Sequence, residues 1–363
     1  MRRSLDPTAP LNDDFLSAIS ETIAGFLDAQ APLIAEVGVP ELLNVARIAT
    51  EGGKRLRPAY CYWSYVAAAG LPEDDSSLLA VASSLDLLHV SALVHDDLID
   101  DADTRRGLPA AHRRFEQFHG ARSGRGDGAE FGTSAAILLG DLLLMWSLEL
   151  ADASGAPGLE RTRGLLNAMR SEVTAGQFLD VSAQYDVADE ASFADELEVA
   201  RRVLEFKSAR YSIRRPAQIG ASLAGADETL LATLGEFGSV VGRAFQLRDD
   251  VLGVYGDPAV TGKPFGGDIH EGKRTVLVLT ALANGSSAQA RELDSILGAP
   301  GITDADVRRA GEIIESSGAL SSVESTIADN WHHAQRLLAD TPMAEEGRTA
   351  LSALADRSVN RAR

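Results

Sequence analysis

The sequence predicts an all-α fold in a single domain, and three observations carry that expectation. Apolar residues recur at three- and four-residue spacing over 78–95, 136–151 and 229–255. Ala and Leu abound, whereas the alternating β-branched runs of a strand are scarce. No boundary along the 363 residues resembles an interdomain linker.

The three periodic segments have sides too apolar for surface helices, so they are expected in the core. Segments 70–76, 120–133, 154–158 and 256–273, rich in Gly, Pro or Asp, read as loops. Beyond 296 the chain reads as helix again, with a turn near 298–304 and a polar tail. One long apolar helix ends in Asp96-Asp97 and another in Asp249-Asp250, which suggests two similar elements whose acidic ends face one site.

Composition narrows the function. With 45% apolar and 24% charged residues the chain has the balance of a soluble globular protein. No uninterrupted apolar run approaches the roughly 20 residues of a membrane span. The start, MRRSLDPTAPLNDD, has two arginines but no apolar segment behind them, so no signal peptide is expected. A lone cysteine, Cys61, excludes an internal disulfide framework and a cysteine zinc site, and a cytoplasmic location is the default. The formal charge of −19 leaves no basic field for a nucleic acid, though small phosphorylated substrates stay open. Of 34 basic residues only Lys54, Lys207, Lys263 and Lys273 are lysine. An ammonium and a guanidinium are not interchangeable, so lysines this scarce point to positions where arginine fails.

Four stretches carry chemistry. In HDDLIDDADTRRG (95–107), Asp96 and Asp100 are four apart and Asp97 and Asp100 three apart, so on a helix their carboxylates share a face. Such crowding makes sense around a divalent cation, and magnesium takes one or two carboxylates and completes its shell with water and phosphate oxygens. Alone, the cluster is an ordinary solvated helix end, but here it follows a helix expected to be buried. Arg105 and Arg106 add guanidinium groups suited to a diphosphate. FQLRDDVLGVYGD (245–257) repeats the acidic pair, and GKPFGGDIHEGK (262–273) follows with Lys263, Asp268 and Lys273 in a Gly-rich loop able to close over a phosphate. EGGKRLRP (51–58) gathers Lys54, Arg55 and Arg57 as a second anion site, and His89 lies two turns before Asp96. A lone histidine on an apolar helix is more often a core residue.

In order along the chain, GGKRLRP, LLHVSALVHDDLIDDADTRRG, GQFLD (176–180), FKSA (206–209), FQLRDD and the GK…GKR loop resemble the trans-isoprenyl diphosphate synthases, the polyprenyl synthetases, over about 45–280. All four lysines fall inside that resemblance. It implies one polyprenyl synthetase domain over 1–363, an isoprenoid-synthase-type helical bundle around a central cavity, with C-terminal helices over about 281–355. It further implies up to three magnesium ions on Asp96, Asp100 and Asp249, supported by Asp97 and Asp250. Arg105, Lys207, Lys263 and Lys273 would serve the allylic diphosphate. Lys54, Arg57, His89 and Arg106 would serve isopentenyl diphosphate. Ser208 and Gln246, with Lys207, would face the reacting allylic carbon. The chain departs from the family's second DDxxD motif at Gly253, where the third carboxylate is missing, and water is expected in its place. A homodimer is implied.

Product length is set by what stops the tail. The wall positions four and five residues before Asp96 are Ala92 and Ser91, both small, with Leu88, Leu85 and Trp146 as candidate floors, which favours a geranylgeranyl product and leaves farnesyl or longer chains open. A class I terpene cyclase would not need GGKRLRP, and a non-catalytic partner subunit would be expected to lose its acidic motifs.

Overall fold

The computed structural model describes residues 5–185, 193–256 and 265–360. Two long helices organise them. One, α4 (Ser76–Ile99), is apolar on nearly every side and buried on nearly every side, as a helix without a polar face must be. Before it come α1 (Asp13–Val37), α2 (Pro40–Thr50) and α3 (Leu56–Ala69); α1 starts on an Asn12 side-chain cap and ends on left-handed Gly38. After it, a hairpin of β1 (Thr104–Arg105) and β2 (Leu108–Pro109) leads to α5 (Ala111–Ala121) and α6 (Gly128–Asp152), which packs along α4. Then follow α7 (Leu159–Tyr185), α8 (Phe193–Val203), a π-helix (Leu204–Arg214) and α9 (Arg215–Ala224). The second organiser is α10 (Glu228–Tyr255), packed against the π-helix, α9 and the C-terminal helices. Those are α11 (Gly267–His270), α12 (Val276–Asn284), α13 (Ser287–Ile296), α14 (Asp304–Ser316), α15 (Ala319–Asp340) and α16 (Glu345–Val359).

The all-α expectation holds, and the three periodic segments lie within α4, α6 and α10. Three local expectations need correcting. Within the segment read as loop over 256–273, Gly267–His270 form the short helix α11. Residues 128–133 are not loop: the Asp127 side chain accepts from Ala129 N and Glu130 N and starts α6 early. Gly132 is helical because α5 needs the room, since a β-carbon there would overlap the carbonyl of His112. The hairpin, too short to show as alternation, turns on Arg106 and Gly107, both at positive φ (53° and 75°), the two-residue turn that matches strand twist.

Close helix packing accounts for other glycines. A β-carbon on Gly220 of α9 would overlap the Cys61 carbonyl of α3, and one on Gly242 of α10 would come within 2.6 Å of Ala209 in the π-helix. The second contact fixes α10, which carries the second acidic motif, against the π-helix. By length and composition α4 and α6 could each cross a membrane, a property the short apolar runs had hidden, yet α4 is the buried core helix. In α6 the large side chains Phe131, Ile137, Leu138, Met145 and Leu148 remain exposed.

The turn before α3 is anchored by Arg55, at φ 51°, whose guanidinium pairs with Asp86 of α4 and donates to Thr50 O at 2.8 Å. Both side chains are almost wholly buried. Removing one partner of such a pair strands the other charge, so Asp86→Ala should lower unfolding free energy by about 3–5 kcal/mol. Urea denaturation checks this, and a loss too small to resolve would show that Arg55 finds another partner.

Candidate active site

The acidic end of α4 meets α7 and the π-helix. Asp96 accepts from Gln177 Nε2 at 2.8 Å, and the Lys207 ammonium lies 2.6 Å from Asp180 Oδ2 and 3.6 Å from Asp96 Oδ1. Burial works against the charge on Lys207, but Asp96 and Asp180 outweigh it and hold its pKa above the ordinary lysine value. Asp100 caps α4, and burial followed by the charge on Asp96 raises its pKa, opposed by Lys207 and Lys273. Lys273 pairs with Glu271 and also feels Asp268 of α11 and Asp100 at the end of α4. Gln177 and Asp180 had no assigned role from sequence, although GQFLD was there to signal them.

Asp97 leaves the shared face expected of it. It is buried, and Arg105 donates to its Oδ1 through Nε at 2.7 Å and through Nη2, so Asp97 holds Arg105 in place. In α10, Asp249 is partly exposed, while Asp250 is buried and its pKa rises to about 7, by burial first and then by Asp268 and Asp249. Gln246 does not point freely at a substrate carbon, since its Nε2 donates to Asp250 at 3.0 Å and works against that rise. Ser208 is half-buried in the π-helix beside Lys207. The third-carboxylate position is not open to water: a β-carbon on Gly253 would overlap the carboxylate of Asp268. Lys263 and Asp257 lie outside the described residues.

A basic pocket forms from the GGKRLRP turn, α4 and the π-helix. Arg57 donates to Ser212 Oγ at 2.9 Å and lies 4.1 Å over the Tyr211 ring. His89 meets that ring edge-on at 6.2 Å between centroids. Buried Arg57 Nε, His89 Nδ1 and Tyr211 OH have no hydrogen-bond partner, the orphaned polar atoms a bound polar ligand would satisfy. Arg106 lies across the Gly52-Gly53 backbone and donates to Glu51 O at 2.7 Å. Lys54 is exposed. Arg55 belongs to the core and not to the pocket.

Among the tail positions, Ala92 is partly exposed, while Leu88 is buried and Trp146 is buried edge-on to Phe26 at 6.3 Å. Ser91 departs from the open wall expected of it: it is buried, and its hydroxyl donates to Gly140 O of α6 at 2.7 Å.

Among the described residues, no three His, Cys, Asp or Glu side chains converge tightly enough to hold an ion by themselves. An all-oxygen set that already grips the Lys207 ammonium fits magnesium, which leaves part of its shell to phosphate oxygens and water.

The polyprenyl synthetase family model matches residues 39–314. The geranylfarnesyl diphosphate synthase of Aeropyrum pernix is 32% identical over 85% of this chain and 91% of its own length. The nonaprenyl diphosphate synthase of Mycobacterium tuberculosis is 31% identical over 85% of this chain and 83% of its own. A geranylgeranyl pyrophosphate synthase structure from Corynebacterium glutamicum, complexed with isoprenyl diphosphate and magnesium, superposes with TM-score 0.89 at 40% identity, covering 96% of this chain and 99% of that one.

The environment of His89 sets a pH dependence. Burial first, then Arg57, Arg106, Arg105 and Arg55, push its pKa well below the usual 6.5. Between the folded and unfolded values the unfolded chain binds the extra proton, so stability contributed by neutral His89 is present above pH 6.5 and lost as pH falls. His89→Gln should lose less thermal stability than wild type between pH 8 and pH 5.5. Parallel melting curves across that window would remove His89 as the cause.

Proposed function

This chain belongs to the polyprenyl synthetase family, and from that premise we propose that it makes geranylgeranyl diphosphate from isopentenyl diphosphate and allylic diphosphates. It is a prenyl transferase, a polyprenyl diphosphate synthase. The proposed part is the product, because relatives of similar identity carry the names of synthases of different chain lengths. One observation carries the reading: two anion-seeking arrangements of different kinds lie along the last turns of α4. In one, carboxylates and lysines interleave; in the other, arginines surround a neutral histidine with orphaned polar atoms.

Ionisation of the allylic C–O bond puts negative charge on the leaving diphosphate and positive charge on carbon, and the alkene of isopentenyl diphosphate attacks that carbon. Magnesium, up to three ions when bound, would supply Lewis-acid neutralisation of the diphosphate. Asp96, Asp100 and Asp249 would hold it. Lys207, Lys273, Lys263 and the outward edge of Arg105 would hold the leaving group, which takes up the final proton. Asp97 and Asp250 act behind them, one fixing Arg105 and the other fixed by Gln246. Arg57, Arg106, Lys54 and His89 would seat isopentenyl diphosphate, and the neutral ring of His89 donates without adding charge to an already cationic pocket. Ser208, half-buried beside Lys207, would turn its hydroxyl dipole toward the reacting carbon.

The stripe Phe131, Leu138 and Met145, at seven-residue spacing on α6, supports a homodimer through that face, since it leaves large apolar side chains exposed along one side of the helix, two turns apart. The buried, unpaired Cys61 accords with a reducing, cytoplasmic setting.

The direct experiment is chromatography of dephosphorylated products from labelled isopentenyl diphosphate, farnesyl diphosphate and magnesium. A product of any length other than twenty carbons would overturn the geranylgeranyl reading. The two sites should also separate kinetically. Lys207→Ala should cut kcat by about 10²-fold, the scale of losing a strong electrostatic contact to the transition state. Arg57→Ala should mainly raise KM for isopentenyl diphosphate, and equal effects of both variants on both substrates would sink the two-site arrangement. In the tail path, Ala92→Phe should shorten the product while initial condensation persists. Ser91→Phe, which must displace α6, should instead lower the melting temperature. An unshortened product from an active Ala92→Phe enzyme would place the tail elsewhere.

A further inference from the structure

Lys273 has a half-exposed side chain, and its carboxylate partner Glu271 is exposed as well, so that pair does little to fix where the ammonium points. The next residue is held from three directions. Arg274 donates through Nε to Glu196 of α8 at 2.5 Å and through Nη1 to Asp294 of α13 at 2.7 Å. Its guanidinium also lies 5.8 Å from the centre of the Phe193 ring at the start of α8. Burial works against the charge on Arg274, but Glu196 and Asp294 outweigh it and hold its pKa above the ordinary arginine value. The two neighbouring cations answer to separate acids, Lys273 to Glu271, Asp268 and Asp100, and Arg274 to Glu196 and Asp294. Residues 273–275 belong to no helix or strand, and Thr275 is extended at φ −71° and ψ 167°. In extended backbone successive side chains point to opposite sides, so the direction in which Arg274 is tied sets the direction left to Lys273.

We propose that Arg274 is a positioning residue for the allylic half of the reaction: its guanidinium, shared between α8 and α13, turns the chain so that the Lys273 ammonium faces Asp100 and the diphosphate bound there. The task calls for arginine, because one planar fork can reach two acids at fixed angles and a point ammonium cannot. It also explains why the two cations stand side by side in sequence with no partner in common. One is spent on direction and the other is left for the ligand. The alternative is that Arg274 only docks α8. That helix has no fully buried residue, and Phe193, Leu197 and Ala200 rest half-buried against the core.

The inference rests on Lys273 being a diphosphate contact, so the test includes that residue. Steady-state kinetics with farnesyl diphosphate and isopentenyl diphosphate are measured on the full-length protein for Arg274→Ala, Lys273→Ala and the double variant, with melting temperatures alongside. Arg274→Ala should lower kcat/KM for farnesyl diphosphate by up to about 10²-fold, the cost of a misplaced contact group, and leave KM for isopentenyl diphosphate at its wild-type value. The double variant should be no worse than Lys273→Ala, because nothing is then left to position. Arg274→Lys, which keeps the charge and loses the fork, should not restore the rate. Glu196→Gln and Asp294→Asn each break one arm and should give smaller losses of the same kind. Combined with Lys273→Ala, they carry the test if Arg274→Ala is too unstable to assay. Losses that multiply in the double variants, or a lowered melting temperature with wild-type kinetics, would make Arg274 a docking residue of α8 alone and overturn the proposal. Wild-type kinetics in Lys273→Ala would instead bring down the assignment of that lysine to the diphosphate, and this inference with it, while leaving the synthase activity standing.

Discussion

The rest of the structure answers to one electrostatic constraint, the gathering of carboxylates of one sign at the ends of two buried helices. Two unit charges 4 Å apart near a protein surface interact by about 4 kcal/mol, so such a cluster would spread apart on any flexible support. Two features hold it. The Lys207 ammonium sits between Asp96 and Asp180, and Lys273 feels Asp100 and Asp268, so the acidic end of α4 has cations before any ligand arrives. The helices beneath are also rigid, because α4 is buried along its length and α10 is pressed onto the π-helix at Gly242. Marginal stability elsewhere in the core has to offset the repulsion concentrated here.

Neighbouring arginines divide the work of anchoring and binding. Arg55 takes a left-handed backbone and turns inward to Asp86, which pins the GGKRLRP turn to the same helix that carries His89 and Asp96. With the turn pinned, Arg57 can lie over Tyr211 and Lys54 can face outward. Arg105 and Arg106 repeat the division in the hairpin. Arg105 is tied to Asp97, and Arg106 reaches across Gly52 and Gly53 to the other segment. The basic pocket is therefore assembled from two chain segments that hold one another in place.

Much of this was readable before the structure, and for identifiable reasons. Periodicity found α4, α6 and α10 because apolar helices buried on most sides leave a strong local signal, and the ordered motifs marked the segments that line the site. What escaped depended on the third dimension. What the Asp97 carboxylate grips is decided by Arg105, eight residues away on β1, which helical spacing does not show. Ser91 looked like an open wall because its small size was visible and its bond to Gly140 was not. Gln246 has a partner on its own helix one turn away, a competition that spacing allowed but could not decide. Asp180 and Gln177 were inside a recognised motif, yet only the meeting of α7 with the π-helix gives them a task. The loop assigned to 128–133 became helix because glycines were read as breakers where they serve as points of close approach.

The π-helix at Leu204–Arg214 bears on which length changes this chain can survive. Hydrogen bonds in such a helix span one residue more than in an α-helix, so the segment holds its residues in a wider, less favourable winding. Glu205 and Arg210, five apart, are joined at 3.0 Å in a way that suits this winding. Loss of a single residue here would let the segment relax to the ordinary winding and would rotate one side of it by about 100° relative to the other. Lys207 would swing off Asp180 while the apolar core lost little. Insertions and deletions in this protein should therefore divide sharply, with the surface loops tolerant and these eleven residues keeping their count even where their side chains drift.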